Sequence, residues 1–478
     1  MGISTVQFTT TEIPKGSPLW QGVQGDRVPL IKLYILEIQV MKGMLYMKKF
    51  VYLIAAAMLL TGCSDAPSAP TEESSEQLSL TETKADESTE NSENEQHEQV
   101  TLKMGIFYEE DDFSSFISQQ NGSESYVKIE PIYYTQYDVY DKAADKQKST
   151  GLDQLNIDIV SGNAPDMAVF MNTPQYIANK SVFADLYSLM DDDLSRDDFM
   201  PNVLEACEIN GKLFSLPTSY KIWTMICHDR FSPVKNQTFD DMLDTFANAP
   251  EGTEFMAMTD RSEFLESVLQ YSDFAASSND GVFSVNRDNI QRLMEFCGTL
   301  PDVLEYDENY DYRAAMNNAV YNSFAASSFG DFKQTYDMLD ESVTFTGYPT
   351  ESGNGAVIDP VHTVAVFESC ENKEAAWELI KCMYNSTNII KGINSGFPVI
   401  SDTFYKWADS AESSLGEEKC AQAVGTVTSA KSLGSGIDSA LFRIITEESE
   451  RYFAGEYTAE QAADYIKNRT DIYVSEKS

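Results

Sequence analysis

Chemistry that needs a titrating imidazole has little to work with in this chain, which holds only three histidines, His97, His228 and His362. No HExxH, no GxSxG, no GxxxxGK[ST] and no GxGxxG after a strand is present. Ser125-Tyr126-Val127-Lys128 has SxxK spacing, but it lies in a β-prone stretch and neither SDN nor KTG follows. Asp307-Glu308-Asn309-Tyr310-Asp311 begins like a calcium loop. Tyr312 then stands where glycine is required, and Asn318 where the bidentate glutamate belongs. A glycosidase pair among the 76 acidic residues stays open on sequence grounds, although nothing marks one. The expectation is a chain that is not an enzyme and carries neither cofactor nor metal.

The cysteines divide into Cys63 and six scattered others, Cys207, Cys227, Cys297, Cys370, Cys382 and Cys420. Their spacing suits neither a disulfide framework nor a zinc site, so mostly buried free thiols are expected. The charge is lopsided: 34 basic against 76 acidic residues, a formal net charge of −42. Nucleic acid is excluded as a partner, because binding phosphates requires a basic face. Docking of the protein surface on anionic lipid is disfavoured for the same reason.

Cys63 ends a different pattern. From Met47 the chain reads MKKFVYLIAAAMLLTGC, with Lys48 and Lys49 before an apolar run, Phe50 to Leu60. The run is shorter than the about 20 residues that a permanent bilayer span needs. Leu60-Thr61-Gly62-Cys63 resembles the lipobox of bacterial lipoproteins, in which the thiol takes a diacylglycerol and becomes the new N-terminus. Residues 47–62 are therefore expected to be a lipoprotein signal peptide and Cys63 the lipidation site. Residues 1–46 are expected to be an upstream extension outside the true product, with Met47 as the start and Met41 or Met44 as other candidates. Residues 63–99 are rich in Ser, Thr, Glu, Asn and Gln and bury too little to offset chain entropy, so they read as a disordered acidic tether.

From Val100 onward nearly 380 residues remain, too many for one core and suited to two lobes. Strands are expected at Val100–Tyr108, Tyr126–Tyr134, Asp166–Phe170 and Glu254–Met258. A longer β-leaning stretch, Lys212–Cys227, follows a turn at Asn210-Gly211. Helices are expected at Asp138–Val160, Phe239–Asn248, Arg261–Phe274 and Glu371–Tyr384. The last places Ala376, Leu379, Ile380 and Met383 on one apolar face. Thr458 and Gln461 make a capping box for a final helix whose face would hold Ala462, Tyr465, Ile466 and Tyr473. Trp377 is expected in the core. Strand–helix alternation points to an α/β fold.

Several segments together resemble the extracellular solute-binding proteins of ABC importers, in particular the large family that includes sugar-binding members. These are LNIDIVSGNAPDMAVF at Leu155–Phe170, SVFADLYSLM at Ser181–Met190 and NGKLFSLPT at Asn210–Thr218. TGYP at Thr346–Pro349, EAAWELI at Glu374–Ile380 and Gly396-Phe397-Pro398 complete the set. No single motif is specific; the ordered set across residues 100–478 carries the likeness.

The resemblance implies a two-lobed, type II periplasmic-binding-protein-like fold, each lobe a mostly parallel sheet flanked by helices. Lobe 1 would comprise 100–217 and 326–394, lobe 2 218–325 and 395–478. Hinges would lie near Pro217, Ala325–Phe329 and Asn394–Pro398. It further implies a monomeric, lipid-anchored receptor on the outer face of the membrane of a Gram-positive type bacterium. Such a receptor captures a small solute, most often a sugar or oligosaccharide, by hinge closure and delivers it to ABC permease subunits. A surface-anchored hydrolase, or a receptor for a peptide or polyamine, stays open as an alternative.

If Pro217-Thr218 marks a crossover between lobes, Ser219, Tyr220 and Trp223 emerge at the cleft wall. There Trp and Tyr rings would offer apolar faces with one polar handle each. Tyr108 at the end of the first strand, Phe329 and Asp331 near the second crossover, and Asn354 at a possible turn are the further ligand-binding candidates.

Overall fold

The computed structural model describes residues 98–107, 110–141, 146–170, 182–279, 282–304, 310–339, 341–351, 355–385, 396–434, 437 and 439–477. All lie in the unit Glu93–Ser478. Cys63, Tyr108 and Asn354 fall outside the described residues, as do the leader, residues 63–97 of the tether and Asn394.

The first half opens with β1 (Val100–Ile106), α1 (Glu110–Gly122) and β2 (Val127–Tyr133). The hairpin strands β3 (Val139–Asp141) and β4 (Lys146–Ser149) follow, then α2 (Gly151–Val160), β5 (Met167–Phe170) and α3 (Pro201–Cys207). The chain then runs through the long β6 (Leu216–His228) into α4 (Phe239–Ala247), β7 (Glu254–Met256) and α5 (Arg261–Tyr271). Next come β8 (Ala276–Asn279), β9 (Val282–Val285), α6 (Arg287–Cys297), α7 (Tyr312–Asn318) and β10 (Ala319–Ala326). It returns through α8 (Phe329–Met338), β11 (Val343–Phe345), β12 (Val357–Val366), α9 (Lys373–Asn385) and β13 (Phe397–Pro398). The C-terminal elements are α10 (Ser401–Leu415), α11 (Glu417–Ser429), β14 (Ser432–Leu433), α12 (Ser439–Phe453) and α13 (Ala459–Lys477).

The main sheet has the strand order β2-β1-β5-β12-β6-β10-β7. It is parallel at both ends, where β1 pairs with β2 and β5, and β10 with β7. The two ends are joined by β12 and β6, which run antiparallel to each other and to their outer neighbours β5 and β10. The result is an α/β fold with helices on both faces of the sheet.

Three apolar clusters cover that sheet. The first lies under one face of the whole join and takes side chains from α1, α3, α8, α9, α10 and α11. The second holds α4, α5, α6, α13 and the far half of β6. The third is small and packs Tyr134, Leu155 and Phe183 on the other face of β5 and β12.

Local chemistry accounts for most boundaries. Asn210 and Gly211 both adopt positive φ, the turn their types predict. On α9, Ala376, Leu379, Ile380 and Met383 are all buried, as is Trp377 at 2% exposure. The capping box at the start of α13 is present: Gln461 N–H donates to Thr458 Oγ1, and Thr458 N–H to Gln461 Oε1.

Two expectations are corrected. Asp138–Val160 is not one helix, because Val139 and Tyr140 are β-formers and pair into the β3–β4 hairpin. The helix starts only at Gly151, where Thr150 and Asp153 cap each other. On α13, Tyr465 is 45% exposed and leans at a tilt against Tyr457, while Ala463 joins Ala462 and Ile466 on the buried face. Among the described residues no helix is long and apolar enough to cross a membrane.

Candidate functional site

A strand sends alternate side chains to opposite faces. Along β6, Tyr220, Ile222 and Ile226 enter the first cluster, while Met225 and Cys227 enter the second. Lys221 and Trp223 share the face of Met225 but stand before the second cluster closes over it, and both are only half-buried. On β12 the same face carries Val357 and Asp359, then Ala365 under the third cluster. On β10 it carries Ser323 and Ala325, which are exposed. Between the second and third clusters the sheet thus keeps an open floor, at the join of its two halves.

Trp223 is the centre of that floor. Its Nε1–H donates to Asp359 Oδ2 at 3.0 Å, and its ring stacks on Tyr271 at 4.5 Å and 12°. Tyr271, the last residue of α5, leans in turn on the buried Tyr348 at 5.3 Å. Tyr348 Oη and Ser323 Oγ are hydrogen-bonded at 2.8 Å. One indole is therefore gripped on an edge and a face before any ligand arrives, which lowers the entropic cost of using it as a platform. Burial pushes the Asp359 carboxyl above its ordinary range, while the Trp223 hydrogen bond and the field of Lys221 pull it back down.

The carboxyl ends of β1 and β5 point to the same region, because β5 pairs antiparallel with Thr363–Val366 of β12 and so runs toward Asp359. Crevices outside the carboxyl ends of strands are where open α/β sheets take ligands. At the end of β1, Phe107 stacks on Tyr134 at 4.8 Å and on Phe170 at 4.8 Å. A concavity of about 480 Å³ at the end of β2 is lined by Ile132, Tyr133, Thr135 and Gln136. A roomier one, about 930 Å³, lies elsewhere, past the far end of β6 at Phe231, Asp241, Thr245 and Asn248. It is wide open, and its one guanidinium, Arg230, is already paired with Glu341. We place the site at Trp223, where buried polar groups and a fixed aromatic ring converge.

The candidates read from sequence scatter around this floor. Trp223 lies on it. Ser219 is on the same face but 1% exposed, covered where β6 meets Pro398 of β13 and His362 of β12. Tyr220 is three residues from Trp223, hence on the opposite face, and is fully buried with its ring 5.8 Å from Phe397. Phe329 is buried against Phe397 and Phe404 in the first cluster. Asp331 caps α8, accepting from Ser327 N at 2.8 Å and Ser328 N at 2.9 Å. Asp359, Tyr271 and Lys221 were missed. The first two come from distant segments, whereas Lys221 could have been found from its two-residue spacing to Trp223.

Nothing at this floor supplies a nucleophile with its base, and among the described residues no cluster of His, Cys, Asp and Glu suits a metal. The six described cysteines are free thiols. Burial pushes Cys207 and Cys227 up to about 12 and Cys370 up to about 11, which keeps them protonated and unreactive.

Residues 128–411, more than half of the chain, match a family described as bacterial extracellular solute-binding protein. The chain belongs to that family. No protein of curated function matches the sequence. Among solved structures, this solute-binding protein is similar to a periplasmic oligogalacturonide binding protein from Yersinia enterocolitica (TM-score 0.52, 14% identity, 79% of this chain and 100% of that one). It is also similar to the sugar-binding protein MalE from Xanthomonas citri (TM-score 0.52, 13% identity, 79% and 98%). A third is an extracellular solute-binding protein family 1 member from Alicyclobacillus acidocaldarius (TM-score 0.50, 12% identity, 79% and 99%). At such identities the likeness is one of fold, and it bears out the α/β, periplasmic-binding-protein-like architecture. The family is described as solute-binding, and two of these neighbours are named for the oligogalacturonide or sugar that they bind.

Proposed function

We propose that this protein is a lipid-anchored extracellular receptor that captures a saccharide on the Trp223 floor by hinge closure and hands it to an ABC permease. The observation that carries this is the indole of Trp223, held by Asp359 and Tyr271 at the open join between two half-sheets. Sugar rings have apolar faces and hydroxyl rims, so a fixed aromatic ring beside a carboxylate suits them. The names of the neighbours from Yersinia enterocolitica and Xanthomonas citri agree with a sugar.

The lobes we place at 100–217 with 326–394 and at 218–325 with 395–478; α4, α5, α6 and α13 share the second apolar cluster, whereas α10 and α11 pack in the first and so go with lobe 1. Hinges at Pro217, Ala325–Phe329 and Asn394–Pro398 would let the lobes close. The chain acts as a monomer, anchored through Cys63, as in a Gram-positive type cell. A solute drives closure only by binding the closed form better than the open one.

The test is a panel of mono- and oligosaccharides, peptides and polyamines offered to the full chain, read by thermal shift and intrinsic fluorescence. A saccharide is expected to raise the melting temperature and change tryptophan emission, and Trp223→Ala to weaken its binding by about tenfold or more. Stabilisation by a peptide or polyamine alone would refute the saccharide reading. Turnover of a glycan would favour a hydrolase.

A further inference from the structure

Lys221 precedes Trp223 by two residues on the same face of β6 and sits directly opposite Asp359 on β12. Its ammonium makes neither a hydrogen bond nor an ion pair with any described residue. Other lysines in that condition among those whose side chains are described, Lys103, Lys212, Lys235, Lys406 and Lys419, are all exposed, and water satisfies them. Lys221 alone is half-buried.

An ammonium on a partly buried floor favours an acidic partner, and this chain has 76 acidic side chains against 34 basic ones to supply one. The carboxylate directly across from it does not do so. Asp359 turns to the indole of Trp223 and acts on Lys221 only through space. The floor therefore presents three unlike groups in a row: an aromatic face, a carboxylate with one oxygen unused and an ammonium with its donors unused, both among the described residues.

We propose that Lys221 reads a negative charge on the solute, and that the solute is an acidic saccharide of the uronate type. Its ring lies on Trp223, its carboxylate on Lys221 and a neighbouring hydroxyl on Asp359. This rests on the saccharide reading of the site. A single carboxylate fits better than a phosphate dianion, because Asp359 stands beside the ammonium and like charges there repel. The acidic surface at large does not forbid an anion, since it is screened beyond about 8 Å at physiological salt.

The experiment is calorimetric titration of the full chain with matched pairs: galactose and galacturonate, glucose and glucuronate, their disaccharides, and galactose 6-phosphate. Uronates are expected to bind about tenfold tighter than their neutral partners. Lys221→Met should remove that advantage by weakening uronates about tenfold more than neutral sugars, while Lys221→Arg keeps most of it. Raising NaCl from about 50 to about 500 mM should weaken uronate binding to the wild type more than to Lys221→Met. Lys221→Gln, polar and of similar length, repeats the test should the methionine variant melt early.

Equal affinity for neutral and acidic sugars overturns this inference and leaves the saccharide reading standing. So does an equal loss for both in Lys221→Met. Tighter binding of the phosphate than of galacturonate overturns the carboxylate assignment. Failure of every saccharide to bind overturns both readings.

Discussion

Two carboxyls are held above their ordinary range at sites where geometry gives a reason, Asp359 on the floor and Glu266 on α5, the helix that delivers Tyr271 to Trp223. Burial and the neighbouring Asp260, Glu263 and Glu450 push Glu266 from 4.5 up to about 7. The folded state therefore holds that proton more tightly than the unfolded state does. The stability this contributes is fully present below pH 4.5, and it is lost as pH rises through about 7. Glu266→Gln removes the cost of an ionised buried carboxyl, so thermal denaturation should find the variant more stable than wild type at pH 8 and nearly unchanged at pH 5. An equal shift at both pH values would show that titration of Glu266 is not the cause. Which side chains share the uncovered face was only partly legible: Trp223 lies on it, but Tyr220 was grouped with it although three residues along a strand reverses the face. Asp359 lies 136 positions from Trp223, and no local pattern joins them.

Single elements explain how the floor stays open. β6 serves both halves of the sheet, with its even-numbered side chains in the first cluster and its later odd-numbered ones in the second. β13 lies across the middle of β6, pairing Phe397 with Tyr220 and Pro398 with Ser219. Gly396 allows that approach, because a Cβ there would fall 2.4 Å from the Tyr220 carbonyl oxygen. Gly396→Ala must push β13 off β6, and overpacking of this kind costs about 1–3 kcal/mol. Chemical denaturation should record a loss of that size; a variant as stable as wild type would mean that the segment shifts without resistance. The β-leaning Lys212–Cys227 stretch announced β6, and helix caps announced α13, since both signals sit within a few residues. The β3–β4 hairpin was missed because a helix-like pattern around Asp138–Val160 concealed the cap at Thr150.

At the scale of the whole molecule, a net charge of −42 sets the terms of membrane association. An acidic surface is repelled by anionic lipid, whose field attracts basic segments instead. The proposed anchoring must then come from Cys63 alone. Cys63→Ala is expected to move the protein from the membrane fraction to the medium or the aqueous phase of a detergent partition, with the fold unchanged by circular dichroism. Retention in the membrane fraction would place the anchor elsewhere in the chain.

By itself the sequence determined the α/β class, the turn at Asn210-Gly211, the capped start of α13, the buried face of α9 and the lack of a metal or nucleophile motif. The family likeness also rested on it, as an ordered set of short segments that the match over residues 128–411 bears out. These features depend on residue type and on neighbours within a turn or two, so they are written locally. Tertiary structure alone decided which face of β6 stays uncovered, because that depends on where clusters built from distant helices stop. It also decided that Asp359 turns to Trp223 and leaves Lys221 without a partner among the described residues, since strand register brings those three groups together only in the folded chain.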